Sequence, residues 1–139
     1  FTADGFYRSG DLCRLHESGN LIVEGRSKDT INRGGEKISA EEMENHILAF
    51  PQIRLCAYVA MPDPVLGERA ALFAVPQEGQ SFTLDELNAF LLTERQIARY
   101  KLPERLEILS ELPLTAVGKV NKVRLREMIA QVLNVKGKE

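Results

Sequence analysis

Two runs decide the fold: Ile53-Arg54-Leu55-Cys56-Ala57-Tyr58-Val59-Ala60-Met61 and, after a short break, Arg69-Ala70-Ala71-Leu72-Phe73-Ala74-Val75. Each is β-rich, largely apolar, strand-sized and bounded by turn formers, which reads as a buried strand. Pro62-Asp63-Pro64 breaks the first, Gly67 marks a second turn, and Pro76 stops the second run. Downstream, Thr83 and Glu86 stand at capping-box spacing, and Leu84, Leu87 and Leu91 line one face of the helix that follows. Pro103 precedes a third strand over residues 105–109. Residues 111–120 read as a loop. A last helix starts near Asn121, a good N-cap residue, with Leu125, Met128, Ile129, Val132 and Leu133 on one face. Upstream, Ser39 and Glu42 repeat the capping-box spacing. Ala40, Met43 and Ile47 supply the inner stripe of a helix that Phe50-Pro51 ends. The order helix, strand, strand, helix, strand, helix predicts a small α+β domain, a three-stranded sheet covered by helices.

Ahead of that domain, residues 6–13 and 21–25 flank His16-Glu17-Ser18-Gly19-Asn20, the pattern of a β-hairpin. Residues 26–37 are polar and contain Gly34-Gly35. They read as a loop or linker with backbone freedom at the glycines. The 139 residues suit one domain, or one domain plus a flap of another. At 44% hydrophobic and 27% charged, the composition argues against disorder and coiled coil. No apolar run approaches the ~18 residues that cross a bilayer, so no membrane association is expected. The net charge of -2 lacks the basic excess of a nucleic-acid binder. Cys13 and Cys56 are isolated, which fits a reducing compartment and a cytoplasmic location. The opening Phe1-Thr2-Ala3-Asp4 is no secretory leader and reads as a cut inside a longer polypeptide. The polar tail 134–139 is expected to fray.

Four segments carry potential chemistry. In Tyr7-Arg8-Ser9-Gly10-Asp11, the carboxylate beside a glycine turn is either a solvated acid at a hairpin edge or an acceptor for a vicinal diol such as a ribose. Gly25-Arg26-Ser27-Lys28-Asp29 with Asn32-Arg33-Gly34-Gly35-Glu36-Lys37 is either a charged loop or a hinge. Arg99-Tyr100-Lys101-Leu102-Pro103 is the third. The fourth, Leu112-Pro113-Leu114-Thr115-Ala116-Val117-Gly118-Lys119-Val120, contains a Gly-Lys pair but is no P-loop, since Pro113 and Val120 stand where Gly and Ser/Thr are needed. Lys119 is either an exposed loop lysine or a mobile cation presented to an anionic reacting group. His16 and His46 are single and far apart, so no metal site is expected.

In this order the four segments resemble the C-terminal part of the adenylate-forming superfamily: acyl- and aryl-CoA ligases, luciferases and the adenylation domains of peptide synthetases. Residues 7–11 look like its Y-[RK]-[ST]-G-D motif. Residues 25–44 look like the hinge motif, with Gly35 at the loop glycine and Glu41 and Glu44 at its acidic end. Residues 100–103 look like Y-x-x-P, and 113–119 like P-x-T-x-x-G-K. Residues 31–38 and 112–120, with lysine at 28, are most similar to stand-alone aryl-acid–AMP ligases of the 2,3-dihydroxybenzoate type in siderophore synthesis.

The resemblance implies a division of the chain. Residues 1–28 would close a large N-terminal domain with a β-hairpin and hinge, and residues 29–139 would form a mobile C-terminal domain. It implies two half-reactions: ATP and a carboxylic acid give an acyl-adenylate, then a phosphopantetheine thiol gives a thioester and AMP. ATP and Mg would be bound mainly by the N-terminal domain. The partners would be that domain and an aryl carrier protein or CoA. Asp11 would bind the ribose hydroxyls, Arg26 the ribose or phosphate, and Lys28 would be the hinge. Lys119 would bridge carboxylate and α-phosphate. Gly34 and Gly35 would leave room for the pantetheine arm. The alternatives are a CoA ligase, a peptide-synthetase adenylation domain, or a non-catalytic carrier-docking module.

Overall fold

The computed structural model describes residues 1–136. In chain order its elements are β1 (Asp11–Leu15), β2 (Leu21–Arg26), β3 (Thr30–Arg33), β4 (Glu36–Ser39), α1 (Ala40–Ile47), β5 (Ile53–Asp63), β6 (Gly67–Pro76), α2 (Leu84–Thr93), β7 (Arg105–Ile108) and α3 (Lys122–Lys136). Single 3-10 turns occupy Ser27–Asp29 and Arg99–Lys101.

The apolar runs are continuous because both faces of the β5–β6 ladder are covered. One set of side chains, including Tyr58, Ala70, Leu72 and Ala74, packs with Met43 and Ile47 of α1 and Leu87 and Leu91 of α2. The alternate set, including Ala57, Val59, Ala71, Phe73 and Val75, packs with Leu125 and Ile129 of α3. Each fully buried leucine or phenylalanine contributes roughly 1.5–3 kcal/mol, so these two layers dominate stability. β7 lies parallel to β6, reached through α2 as a crossover connection.

The α+β class and the order of helices and strands agree with the sequence, but the sheet has five strands rather than three. The segment read as a linker folds into the β3–β4 hairpin, with Ile31 opposite Ile38 and both buried. That single apolar pair, closed by Gly34-Gly35, supplies the register that the charged neighbours conceal. β5 also runs through Pro62 to Asp63 instead of stopping at Met61. It is an edge strand, where a missing N–H costs no ladder bond on the open side.

Both caps form. Thr83 and Glu86 make the full reciprocal box. Ser39 accepts the Glu42 N–H, whereas the Glu42 carboxylate turns to Lys101 Nζ at 2.9 Å instead of closing a box. Asn121 Oδ1 accepts the Arg124 N–H at the start of α3. The tail expected to fray is helical through Lys136, and residues 137–139 lie outside the described part. Among the described residues no helix is long and apolar enough to cross a membrane.

Candidate functional site

The β1–β2 hairpin places Asp11 and Arg26 opposite one another at its open end. Gly10, at φ +79, turns the chain into β1, and the Ser27 N–H donates to its carbonyl at 2.8 Å. Arg26 Nε lies 3.6 Å from Asp11 Oδ1, and both side chains are partly exposed. Such a pair is worth about 0–1 kcal/mol, so either partner can turn to a ligand at small cost.

Lys28 sits exposed in the middle of the Ser27–Asp29 turn. Extended backbone at Arg26 and Thr30 flanks it. The Thr30 hydroxyl donates to the Arg26 carbonyl at 3.2 Å. Asp29 Oδ1 lies 3.8 Å from Arg126 Nη1, which ties the C-terminal end of the turn to α3.

Lys119 stands on a turn closed upon itself. Leu114 bridges Val120. The Thr115 N–H donates to the Lys119 carbonyl at 2.7 Å, the Gly118 N–H to the Thr115 carbonyl at 2.9 Å, and the Lys119 N–H to Thr115 Oγ1 at 3.2 Å. Gly118 takes φ +82, a conformation that glycine enters without cost. The Lys119 side chain is exposed and has no ion-pair partner among the described residues. It shares a cleft of about 290 Å³ with Arg26, Asp29, Ser39, Glu44 and Lys122. The structure thus brings Arg26 and Lys119 to one cleft, with Asp11 behind Arg26 and Lys28 in the connection beside it.

Lys122 belongs to none of the four motif segments. Its Nζ lies 2.7 Å from Glu44 Oε1, which also accepts the Tyr58 N–H at 2.9 Å. Both side chains are only 19% exposed, so the pair fixes the start of α3 just behind the Lys119 turn. One signal existed: a lysine in the first turn of a helix opposes the macrodipole and needs a compensating acid elsewhere. Nearby, burial, aided by the Glu44 charge, pushes the Cys56 thiol up to about 12, which makes it unreactive. Burial likewise pushes the Tyr58 hydroxyl up, and that hydroxyl donates to the Lys101 carbonyl at 2.7 Å.

Gly34 and Gly35 lie at the far end of β3 from Lys28, beyond a strand that itself spans roughly 10 Å from Thr30 to Arg33. They are the two central residues of a tight hairpin turn with φ +59 and +99, the signature of a type I′ turn. The turn is pinned from several sides. The Gly34 N–H donates to the Leu66 carbonyl at 3.0 Å, and a Cβ on Gly34 would meet Leu66 Cδ2 at 2.9 Å. Asn32 Oδ1 accepts the Gly35 N–H at 3.0 Å. Arg33 grips Glu104 with two bonds of 3.1 and 3.0 Å, which raises its pKa further. Glu104 also meets Arg69 Nη1 at 3.4 Å, and Arg69 Nε lies 2.6 Å from Asp63 Oδ2. Amide hydrogen bonds from Leu66 and Val65, with Arg69 beside it, hold the Asp63 carboxyl below the usual range. Neither Gly34 nor Gly35 lines the Arg26–Lys119 cleft.

Among the described residues, no group of three or more His, Cys, Asp or Glu side chains is placed to hold a metal ion.

Residues 42–119 match the family model of the AMP-binding enzyme C-terminal domain. The chain is 57% identical over 129 residues to a salicylyl-CoA synthase / salicylate adenylyltransferase of Streptomyces sp, covering 93% of this chain and 23% of that protein. It is 53% identical over 133 residues to the 2,3-dihydroxybenzoate-AMP ligase of Bacillus subtilis, covering 96% and 24%. Among solved structures, ATP-bound MatB from Rhodopseudomonas palustris superposes with a TM-score of 0.80 at 30% identity, over 92% of this chain and 25% of that one. The chain spans about a quarter of the length of the relatives it matches.

Proposed function

The chain belongs to the AMP-binding enzyme C-terminal domain family, and on that premise we propose that it is the C-terminal portion of an ATP-dependent aryl-acid ligase. The complete enzyme condenses a hydroxylated benzoate with ATP to an acyl-adenylate and pyrophosphate. A phosphopantetheine thiol, on an aryl carrier protein or CoA, then displaces AMP to leave a thioester. Two relatives named for 2,3-dihydroxybenzoate and salicylate support the acid class, and the family's membership supports adenylation. Residues 1–28 close the larger preceding domain, and residues 29–139 are the body that turns about Lys28. The magnesium that accompanies ATP belongs to that preceding domain. A cytoplasmic location fits two unpaired cysteines.

The observation that carries the reading is the shared cleft of Arg26 and Lys119. Asp11 accepts the ribose hydroxyls, and Arg26 swings from Asp11 to the nucleotide. The Lys119 ammonium bridges the attacking carboxylate oxygen and the α-phosphate, where negative charge concentrates as the C–O–P linkage forms. One preorganised cation of this kind is worth about 10²–10³ in rate. The same ammonium obstructs the thiol, so the domain turns, withdraws Lys119 and brings the Gly34-Gly35 turn to the adenylate, where no Cβ blocks the pantetheine arm. This is a gate between two chemical steps.

In the full-length enzyme, Lys119→Ala lowers ATP–pyrophosphate exchange about 10²–10³-fold while thioester formation from preformed acyl-adenylate stays close to the parent rate. Equal losses in both half-reactions contradict the assignment.

A further inference from the structure

The hairpin strands pack against β4 and α1 and are hydrogen-bonded to them through one side chain among the described residues. The β1–β2 register steps from Leu12 opposite Gly25 to Cys13 opposite Val23, leaving Glu24 with no opposite residue. This is a β-bulge, which re-aims the strand's groups. The bulge carbonyl of Glu24 accepts the Ser39 hydroxyl at 3.1 Å. Among the described residues it is the only hydrogen bond between the hairpin strands and anything beyond Thr30. The approach is close: Gly25 is buried at φ +130, and a Cβ there would lie 3.2 Å from Ser39 Oγ. Ser39 Oγ also accepts the Glu42 N–H at 3.3 Å, capping α1. One hydroxyl serves both bonds because it carries a proton and two lone pairs.

We propose that Ser39 is a positioning residue for the first half-reaction. Its proton latches the bulge carbonyl of Glu24 and holds Arg26 against the wall that carries Lys119. Ser39 itself lines that cleft. The inference rests on the roles proposed above for Arg26, Lys28 and Lys119. When the body turns about Lys28, the latch opens and costs one neutral hydrogen bond, while the cap on α1 travels intact with the body. The latch therefore biases the resting population toward the adenylating arrangement without locking it there.

The two duties of Ser39 separate by substitution. Ser39→Asp keeps a strong N-cap acceptor but has no proton to give at neutral pH, and it sets a carboxylate against a carbonyl oxygen. Ser39→Thr keeps the hydroxyl. In the full-length enzyme, Ser39→Asp lowers ATP–pyrophosphate exchange about three- to tenfold, the worth of one such bond. It leaves transfer from preformed adenylate unchanged and speeds tryptic cleavage after Arg26 by a similar factor. Its melting temperature stays near the parent's, and Ser39→Thr restores exchange and resistance. Equal losses in both half-reactions with a lowered melting temperature reduce Ser39 to a helix cap and overturn the inference. Lys119→Ala, run alongside, separates the failures. If it leaves exchange intact, the reading beneath the latch falls. If it abolishes exchange while Ser39→Asp leaves exchange and cleavage at parent levels, the latch alone is overturned.

Discussion

The Lys119 turn and the Gly34-Gly35 turn are both tight, both depend on glycine at positive φ, and are held in opposite ways. The first is closed by its own neighbours: its hydrogen bonds run among residues 113–121, and space around Gly118 is open. The second is held from a distance, by Leu66 against Gly34 and by Glu104 on Arg33. The difference suits the two proposed tasks. A cation that enters and leaves a site needs a turn that keeps its shape when moved. A passage for a thiol arm needs walls that do not close.

Substitution separates the two turns by size of effect. Gly34→Ala incurs a positive-φ cost of about 1–2 kcal/mol, and about 1–3 kcal/mol more from overpacking against Leu66. Gly118→Ala incurs the first cost alone. Chemical denaturation of both variants checks this, and Leu66→Ala combined with Gly34→Ala recovers the clash portion. Equal losses at the two glycines contradict the claim that only one turn is held by remote contacts.

A smaller effect comes from the ion network behind the second turn. Glu104→Gln keeps the shape but leaves the Arg33 and Arg69 guanidinium groups short of charge. A loss of about 1–2 kcal/mol follows, together with faster amide exchange at Gly34 and Gly35 and none at Gly118. Smaller still is the acid response of Asp63. Its folded pKa lies below the ordinary 3.8, so its stabilisation is present above that value and lost as pH falls through the folded pKa. Asp63→Asn flattens the stability profile of the parent below about pH 4. An unchanged profile removes Asp63 from the network.

What was readable in the sequence follows the same division. Helix starts at Ser39, Thr83 and Asn121 were readable because capping is a matter of neighbours in the chain. The paired apolar strands were readable because burial on both faces leaves no polar alternation. Asp11, Arg26, Lys28 and Lys119 are singled out by the family resemblance and not by local pattern, since from the residues alone Asp11 is equally a solvated acid and Lys119 an exposed loop lysine. The β3–β4 hairpin was missed because its only apolar pair, Ile31 and Ile38, lies among charged residues. The partners of Arg33 and Glu44 were out of reach for a simpler reason: Glu104 and Lys122 are more than seventy positions away in sequence. The spacing of Ser39 and Glu42 announces a cap, and nothing local announces the second bond of Ser39 to the bulge at Glu24.

In the proposed cycle, Lys119 visits the nucleotide for the first reaction and departs before the second. The direct measurement is the distance from Lys119 Nζ to the α-phosphorus in the complete enzyme, once with a stable acyl-adenylate analogue and once with a pantetheine-linked adenylate trap. The expected result is hydrogen-bonding reach to the α-phosphate oxygens in the first complex and withdrawal by the width of the domain in the second. A lysine remote from phosphorus in both complexes would contradict it.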